Sequence, residues 1–165
     1  MKDDRHAALV AKFNLWNPVH FVALGFGSGL LKPAPGTWGT LAGVPIYIWL
    51  SSFSLVTYLL VTAFAFLIGI WLCDITCRDA GVHDHGAIVW DEIVGLLITM
   101  AAVPYSWSSL VLGFLLFRLF DILKPWPICI LDRRVGGGFG VMIDDLLAGV
   151  FAGAILFLVY SRGWV

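Results

Sequence analysis

Long apolar runs separated by short polar breaks form the main pattern of the chain. No charged residue occurs between Lys32 and Asp74. That run is about twice the ~20 residues that one helical membrane span needs. The polar sequence SSFS at 51–54 divides it, which predicts a short helix from Trp38 to Leu50 and a longer one from Leu55 to Cys73.

Further apolar runs follow in the second half. The turn-rich sequence PYSWSS at 104–109 separates a helix that begins near Ala87 from one that ends near Leu123. The last run, Leu146 to Tyr160, is long enough to span a bilayer only if its helix begins near Val141. The pattern therefore predicts four to five membrane segments, several of them short, the first of which is short enough to be re-entrant.

Composition supports a membrane protein. Hydrophobic residues make up 60% of the chain and charged residues 13%, whereas soluble domains carry roughly a quarter charged residues. A net charge of −1 gives no reason to expect nucleic-acid binding. We therefore predict an all-α, small polytopic helical bundle that forms a single domain over residues 1–165. Residues 1–16 are a polar segment without the apolar core of a signal peptide, and we expect them to be retained.

Basic residues indicate the orientation, because Lys and Arg near membrane segments favour the cytoplasm. In the five-segment arrangement, all but Arg162 fall on one side: Lys2, Arg5, Lys12, Lys32, Arg78, Arg118, Lys124, Arg133 and Arg134. Every acidic side chain falls on that same side. We therefore expect a cytoplasmic N-terminus and a site that faces the cytoplasm.

Two pairs of adjacent acids stand at the cytoplasmic beginning of apolar helices: Asp91 with Glu92, and Asp144 with Asp145. Acids in a first helical turn can simply complement the helix dipole. Two pairs on helices that pack together would repel, however, unless a cation lies among them. Carboxylates select a hard divalent ion, which predicts a Mg²⁺ site formed by these four residues.

The triplet His83-Asp84-His85 precedes the first acid pair, in a loop bounded by Gly81 and Gly86. Three interpretations stay open for it: a histidine-ligated metal, an acid/base or polar role at the acidic site, and a structural loop.

Cationic and glycine-rich segments could receive an anion. Arg118, Asp121 and Lys124 follow at intervals of three, so they share a helical face, either as an internal ion-pair ladder or as a site for an anionic substrate. The sequence GFGSGLLKPAPGTWGT contains Ser28, Lys32 and Thr37, and Thr37 is a plausible N-cap of the first membrane helix. This segment is either a phosphate cradle or a re-entrant turn packed against helices.

Acids for Mg²⁺ and cations for an anion at a lipid interface together suggest phosphoryl chemistry on a lipid headgroup. Four blocks carry a family resemblance: GFGSGLLKPAPGTWGTLAGVP, GVHDHGAIVWDEIVG, FRLFDILKPWPI and DRRVGGGFGVMIDDLLAG. In this order they resemble the phosphatidylglycerophosphatase A family of Gram-negative bacteria.

The resemblance implies Mg²⁺-dependent hydrolysis of phosphatidylglycerol phosphate to phosphatidylglycerol and inorganic phosphate at the bacterial inner membrane. It also implies roles for particular residues. The acidic metal-site positions fall on Asp91, Glu92, Asp144 and Asp145; further acid or imidazole positions fall on Asp84, His85 and Asp121; the basic positions fall on Arg118, Lys124 and Arg133.

Two other functions remain as alternatives. A Mg²⁺-dependent lipid phosphotransferase would use the same groups, but the chain lacks a DGxxAR-type helix motif. A small transporter would need charge along the helices, whereas the acids cluster at one face. The sequence leaves the oligomeric state open.

Overall fold

A computed structural model of the chain describes residues 12–81 and 85–165. These residues form only helices and turns, without a strand. The helices are α1 (Pro18–Ala23), a 3₁₀ turn (Ser28–Leu30), α2 (Pro35–Leu50), α3 (Leu55–Ala80), α4 (Trp90–Met100), α5 (Trp107–Leu123), α6 (Ile128–Arg134) and α7 (Gly137–Ser161). The prediction of an all-α protein is confirmed.

Local sequence accounts for the breaks between the long helices. The Ser54 side chain accepts a hydrogen bond from the Thr57 backbone N–H and caps α3, and the Ser106 side chain caps α5 in the same way through Ser109. At the other end of α3, Gly81 adopts the left-handed conformation that ends many helices. The polar breaks in the pattern therefore are the helix boundaries, as predicted.

Four predicted boundaries differ from the structure. Helix α3 ends at Ala80, not at Cys73. Thr37 is not an N-cap, because α2 begins at Pro35 and its cap is Ala34. The third membrane segment begins at Trp90, not near Ala87. The last helix begins at Gly137, four residues before Val141, so its acid pair lies about two turns inside the helix.

Helix α7 is the centre of the bundle and packs against α3, α4, α5 and α6. Small residues let it approach α4 closely: a Cβ on Gly149 would lie 2.7 Å from the Gly95 carbonyl oxygen. The Thr99 hydroxyl lies within hydrogen-bond distance of the Gly95 and Gly149 carbonyl oxygens, at 2.9 and 3.3 Å. This close approach brings the acids of α4 and α7 together.

The outer surface of the bundle is apolar. Helix α3 exposes large side chains along its length, including Val56, Leu60, Phe64 and Leu67. Among the described helices, α3 and α7 are long and apolar enough to cross a membrane. The predicted number of four to five spans is not established by these two helices.

Candidate active site

Three acidic side chains converge where α4 begins and α7 passes beside it. One carboxylate oxygen from each of Asp91, Glu92 and Asp145 lies within 4.8 Å of the other two. Glu92 is 9% exposed and Asp145 is 3% exposed. Asp91 is half-buried. Three carboxylates this close, two of them buried, repel one another strongly unless a cation or a proton lies among them.

The fold holds the beginning of α4 rigidly beside α3 and α7. The Trp90 indole N–H donates to the Ala65 carbonyl oxygen of α3 at 3.0 Å. The same indole packs over Gly69 and near Met142 of α7, where a Cβ on Gly69 would not fit. Asp91 and Glu92 follow this anchor directly, so their position relative to α7 is fixed by packing.

Asp144 is not one of the three converging acids. Its Oδ2 accepts a hydrogen bond from the Lys124 ammonium at 2.6 Å, and Lys124 also donates to Asp132 of α6 at 2.5 Å. Burial lowers the pKa of Lys124, but the hydrogen bonds to Asp132 and Asp144 outweigh burial and raise this pKa above its ordinary value. Lys124 is therefore a fixed positive charge beside the acids.

Arg118 supplies the second positive charge. Its guanidinium forms an ion pair with Asp121 one turn further along α5, and it lies 3.9 Å from Glu92 Oε1. It also lies 3.5 Å from the Thr40 hydroxyl, which donates to the Gly36 carbonyl oxygen at 2.8 Å. The first turns of α2 thus close the site on the side of Glu92.

The helix dipole does not explain the acids on α7. Its effect is confined to the first turn of a helix, where Asp91 and Glu92 do lie in α4. Asp144 and Asp145 lie about two turns from the start of α7. Dipole complementation therefore accounts at most for one of the two acid pairs.

The donor set fits a hard divalent cation. Within the part of the chain that the structure describes, the buried carboxylate oxygens without a hydrogen-bond partner include Glu92 Oε2, Asp144 Oδ1 and Asp145 Oδ2. Buried polar atoms without a partner are rare in proteins. Oxygen-only donors suit Mg²⁺ rather than a softer metal.

The other predicted site residues are distributed as follows. His85 lies in the loop before α4, where its Nδ1 accepts from the Ala87 N–H at 3.1 Å and its ring contacts Phe13. Asp84 lies outside the described residues. Arg133 is exposed in the last turn of α6.

The glycine-rich segment approaches the site through its backbone. Gly36 lies directly against the Glu92 carboxylate and the Arg118 guanidinium. Ser28 has a buried hydroxyl in the 3₁₀ turn, Lys32 is exposed, and Thr37 is half-buried in α2. The described contacts of the Ser28 and Thr37 side chains do not include the acids.

Sequence reasoning missed three residues of the site: Gly36, Thr40 and Asp132. Gly36 and Thr40 lie within or at the end of the glycine-rich segment, and Asp132 opens the block DRRVGGGFG. The sequence draws attention to both segments. Nothing in it indicates that the Gly36 backbone lies against Glu92, that the Thr40 hydroxyl lies near Arg118, or that Asp132 pairs with Lys124.

The fold and the site define a class: an all-helical, apolar protein with a cluster of carboxylates and two cations at one end of its bundle. Comparisons with known proteins are more specific. The family described as phosphatidylglycerophosphatase A matches residues 21–160. The phosphatidylglycerophosphatase A of Haemophilus influenzae is 52% identical over 150 residues, which cover 90% of this chain and 92% of that protein.

The phosphatidylglycerophosphatase A of Escherichia coli is 45% identical over 150 residues, covering 90% of this chain and 87% of that protein. No solved structure matches the chain. The chain belongs to the phosphatidylglycerophosphatase A family.

Proposed function

We propose that the protein is a Mg²⁺-dependent membrane phosphatase that hydrolyses phosphatidylglycerol phosphate to phosphatidylglycerol and inorganic phosphate. One observation carries the proposal beyond family membership. The carboxylates of Asp91, Glu92 and Asp145 converge beside two cationic side chains, Arg118 and Lys124. Such a site suits a phosphate monoester at the membrane surface.

Asp91, Glu92 and Asp145 would hold the metal ion, and Asp144 would contribute through its second carboxylate oxygen. When bound, Mg²⁺ supplies charge neutralisation of the phosphate and lowers the pKa of bound water. Asp144 would stay oriented by Lys124, which occupies its other oxygen.

Arg118 and Lys124 bind and orient the phosphate in this proposal. Hydrolysis forms a bond between a water oxygen and phosphorus and breaks the bond between phosphorus and the terminal glycerol oxygen. The water oxygen stays on the phosphate, and one proton of water ends on the glycerol oxygen. Negative charge that develops on the phosphate oxygens is stabilised by the two cations, which the ion pairs with Asp121 and Asp132 hold in place before substrate binds.

We further propose that α2, α3, α4, α5 and α7 are the membrane segments of a multi-pass protein of the bacterial inner membrane. Helix α4 has 11 residues, so at ~1.5 Å per residue it is far shorter than the ~30 Å hydrocarbon thickness. The acids at its beginning would then lie at, or just inside, the membrane surface. A lipid phosphate can reach them there.

Exposed tryptophans support this arrangement, because tryptophan favours the membrane interface. Trp49, Trp107 and Trp164 lie at the end of the bundle away from the acids, where α2 ends, α5 begins and the chain ends. Trp38 and Trp126 lie at the acidic end. The basic residues of the described chain, except Arg162, belong to that acidic end, which supports a cytoplasmic location for it.

A phosphate-release assay tests the proposal. Purified full-length protein in detergent is given phosphatidylglycerol phosphate, with Mg²⁺ or with a chelator, and both products are measured. We expect equal amounts of phosphatidylglycerol and inorganic phosphate with Mg²⁺ and neither with the chelator. Asp91→Asn and Asp145→Asn should abolish release, whereas Asp79→Asn, an exposed acid of α3, should not. Release that survives chelation and both substitutions contradicts the metal site, and a requirement for an added alcohol acceptor would indicate a phosphotransferase.

A further inference from the structure

Lys124 is held between two carboxylates that differ in their access to solvent. Its Nζ lies 2.5 Å from Asp132 Oδ1 and 2.6 Å from Asp144 Oδ2. The Asp132 side chain is 36% exposed, whereas the Asp144 side chain is 8% exposed. The exposed side of the ammonium therefore faces Asp132.

Breaking the ion pair of Lys124 with Asp144 costs more free energy than breaking its ion pair with Asp132. A buried carboxylate that loses its partner is left with an uncompensated charge, which is strongly unfavourable. An exposed carboxylate that loses its partner is solvated by water, and the pair itself contributes little. An anion that arrives from the membrane surface therefore replaces Asp132 more easily than Asp144.

Lys124 also has a donor to offer an incoming phosphate. An ammonium group carries three N–H donors, and the two carboxylates account for two of them. A phosphate oxygen that approaches the third donor comes close to the negative charge of Asp132. The two anions repel each other, so Asp132 weakens phosphate binding for as long as it stays on Lys124.

We propose that Asp132 is an internal substitute for the substrate phosphate: it holds the Lys124 ammonium in place in the empty site and is displaced by the phosphate on binding. Asp132 is thus a positioning residue that acts through Lys124 and sets the affinity for phosphate. This inference rests on the proposed function, because it takes a phosphate group as the ligand of Lys124.

Asp132→Asn tests this role, because asparagine keeps the size of the side chain and removes its charge. We expect the inhibition constant for inorganic phosphate to fall about two- to fivefold, in line with the small energy of an exposed ion pair. The KM for phosphatidylglycerol phosphate should fall in the same proportion, with kcat changed less. Asp132→Ser is a second variant in case asparagine perturbs α6. Its inhibition constant for phosphate and its KM should also fall.

Two controls separate this role from general effects. Asp79→Asn also removes one exposed negative charge at the acidic end of the bundle, but Asp79 contacts His20, not Lys124; its phosphate inhibition should stay unchanged. In a Lys124→Gln background, Asp132→Asn should no longer lower the inhibition constant. An equal effect in Asp79→Asn, or an effect that persists without Lys124, overturns the inference.

The activity of the wild-type enzyme separates a failure of the proposed function from a failure of the role of Asp132. A wild-type protein that releases no phosphate contradicts the proposed function and this inference with it. A wild-type protein that is active, with phosphate inhibition unchanged or weakened in Asp132→Asn and Asp132→Ser, contradicts the role of Asp132 alone.

Discussion

Gly36 of α2 lies directly against the Glu92 carboxylate of α4, with no room for a Cβ between them. The Arg118 guanidinium lies against the same glycine, with two of its nitrogens 3.0 Å from where a Cβ would stand. The glycine therefore lets the backbone of α2 close one wall of the carboxylate site. Its role follows from the close approach, because it lies within a helix where other residues would be tolerated.

Replacing Gly36 by alanine should disturb the site more than the fold. The methyl group would push the Glu92 carboxylate and the Arg118 guanidinium away, because both are side-chain ends that can move. We expect Gly36→Ala to lower kcat/KM at least about tenfold, since small displacements of catalytic groups are costly. Enzyme kinetics together with a thermal melt checks this.

Gly86→Ala is the matched control. A Cβ at Gly86 meets no atom within 4 Å, and the residue precedes the same helix α4. It should keep both activity and melting temperature. If the Gly36→Ala enzyme is as active as the Gly86→Ala enzyme, the close contact between Gly36 and the Glu92 carboxylate is not needed for activity.

Arg118→Lys should reduce activity although it keeps the charge. Arg118 contacts Asp121 and lies near Glu92 and Thr40 at the same time, which a planar guanidinium with several donors can do. An ammonium can replace one of these contacts but not the whole set. We expect a loss of about tenfold or more in kcat/KM, measured at saturating Mg²⁺. Full activity in Arg118→Lys would mean that only the charge of this residue matters.

Removing the charge of Asp144 and removing that of the adjacent Asp145 should change the melting temperature in opposite directions. With a chelator present, Asp145→Asn removes repulsion from Asp91 and Glu92 and should raise the melting temperature. Asp144→Asn removes the charge of the buried one of the two partners of Lys124 and should lower the melting temperature. Added Mg²⁺ should raise the melting temperature of the wild type but not of Asp145→Asn. Equal shifts in the melting temperatures of Asp144→Asn and Asp145→Asn would show that both acids have the same environment.

The sequence predicted where helices begin and end better than which way their acids point. Serine and glycine at the polar breaks mark helix ends through local hydrogen bonds, which depend on neighbouring residues only. Adjacent residues of a helix point about 100° apart, so only packing decides that Asp145 meets Glu92 while Asp144 meets Lys124. That packing depends on Gly149 approaching Gly95, a contact between distant segments.

The start of α7 shows the same limit. Glycine is a poor helix former, yet α7 begins within the sequence GGGFG, at Gly137. A Cβ on Gly138 would overlap the Ile70 carbonyl oxygen of α3. Gly138 is thus required by the close contact with α3, and its helical conformation is imposed by the tertiary structure.

The proposed membrane orientation predicts the labelling of introduced cysteines. Ser52 lies in the turn between α2 and α3, at the end away from the acids, and Asn14 lies at the acidic end. In a Cys129→Ser background, Ser52→Cys should react with a membrane-impermeant thiol reagent in intact spheroplasts. Asn14→Cys should react only after the membrane is opened. The reverse pattern would invert the orientation.

Metal binding by the carboxylates of Asp91, Glu92 and Asp145 is the central claim, and Mn²⁺ can report on it as a substitute for Mg²⁺. Electron paramagnetic resonance of the purified full-length protein, titrated with Mn²⁺, measures the bound ion directly. We expect binding to the wild type that Mg²⁺ displaces, the same binding in Asp79→Asn, and its loss in Asp145→Asn. Binding that is equally strong in Asp145→Asn, or absent from the wild type, would contradict the account.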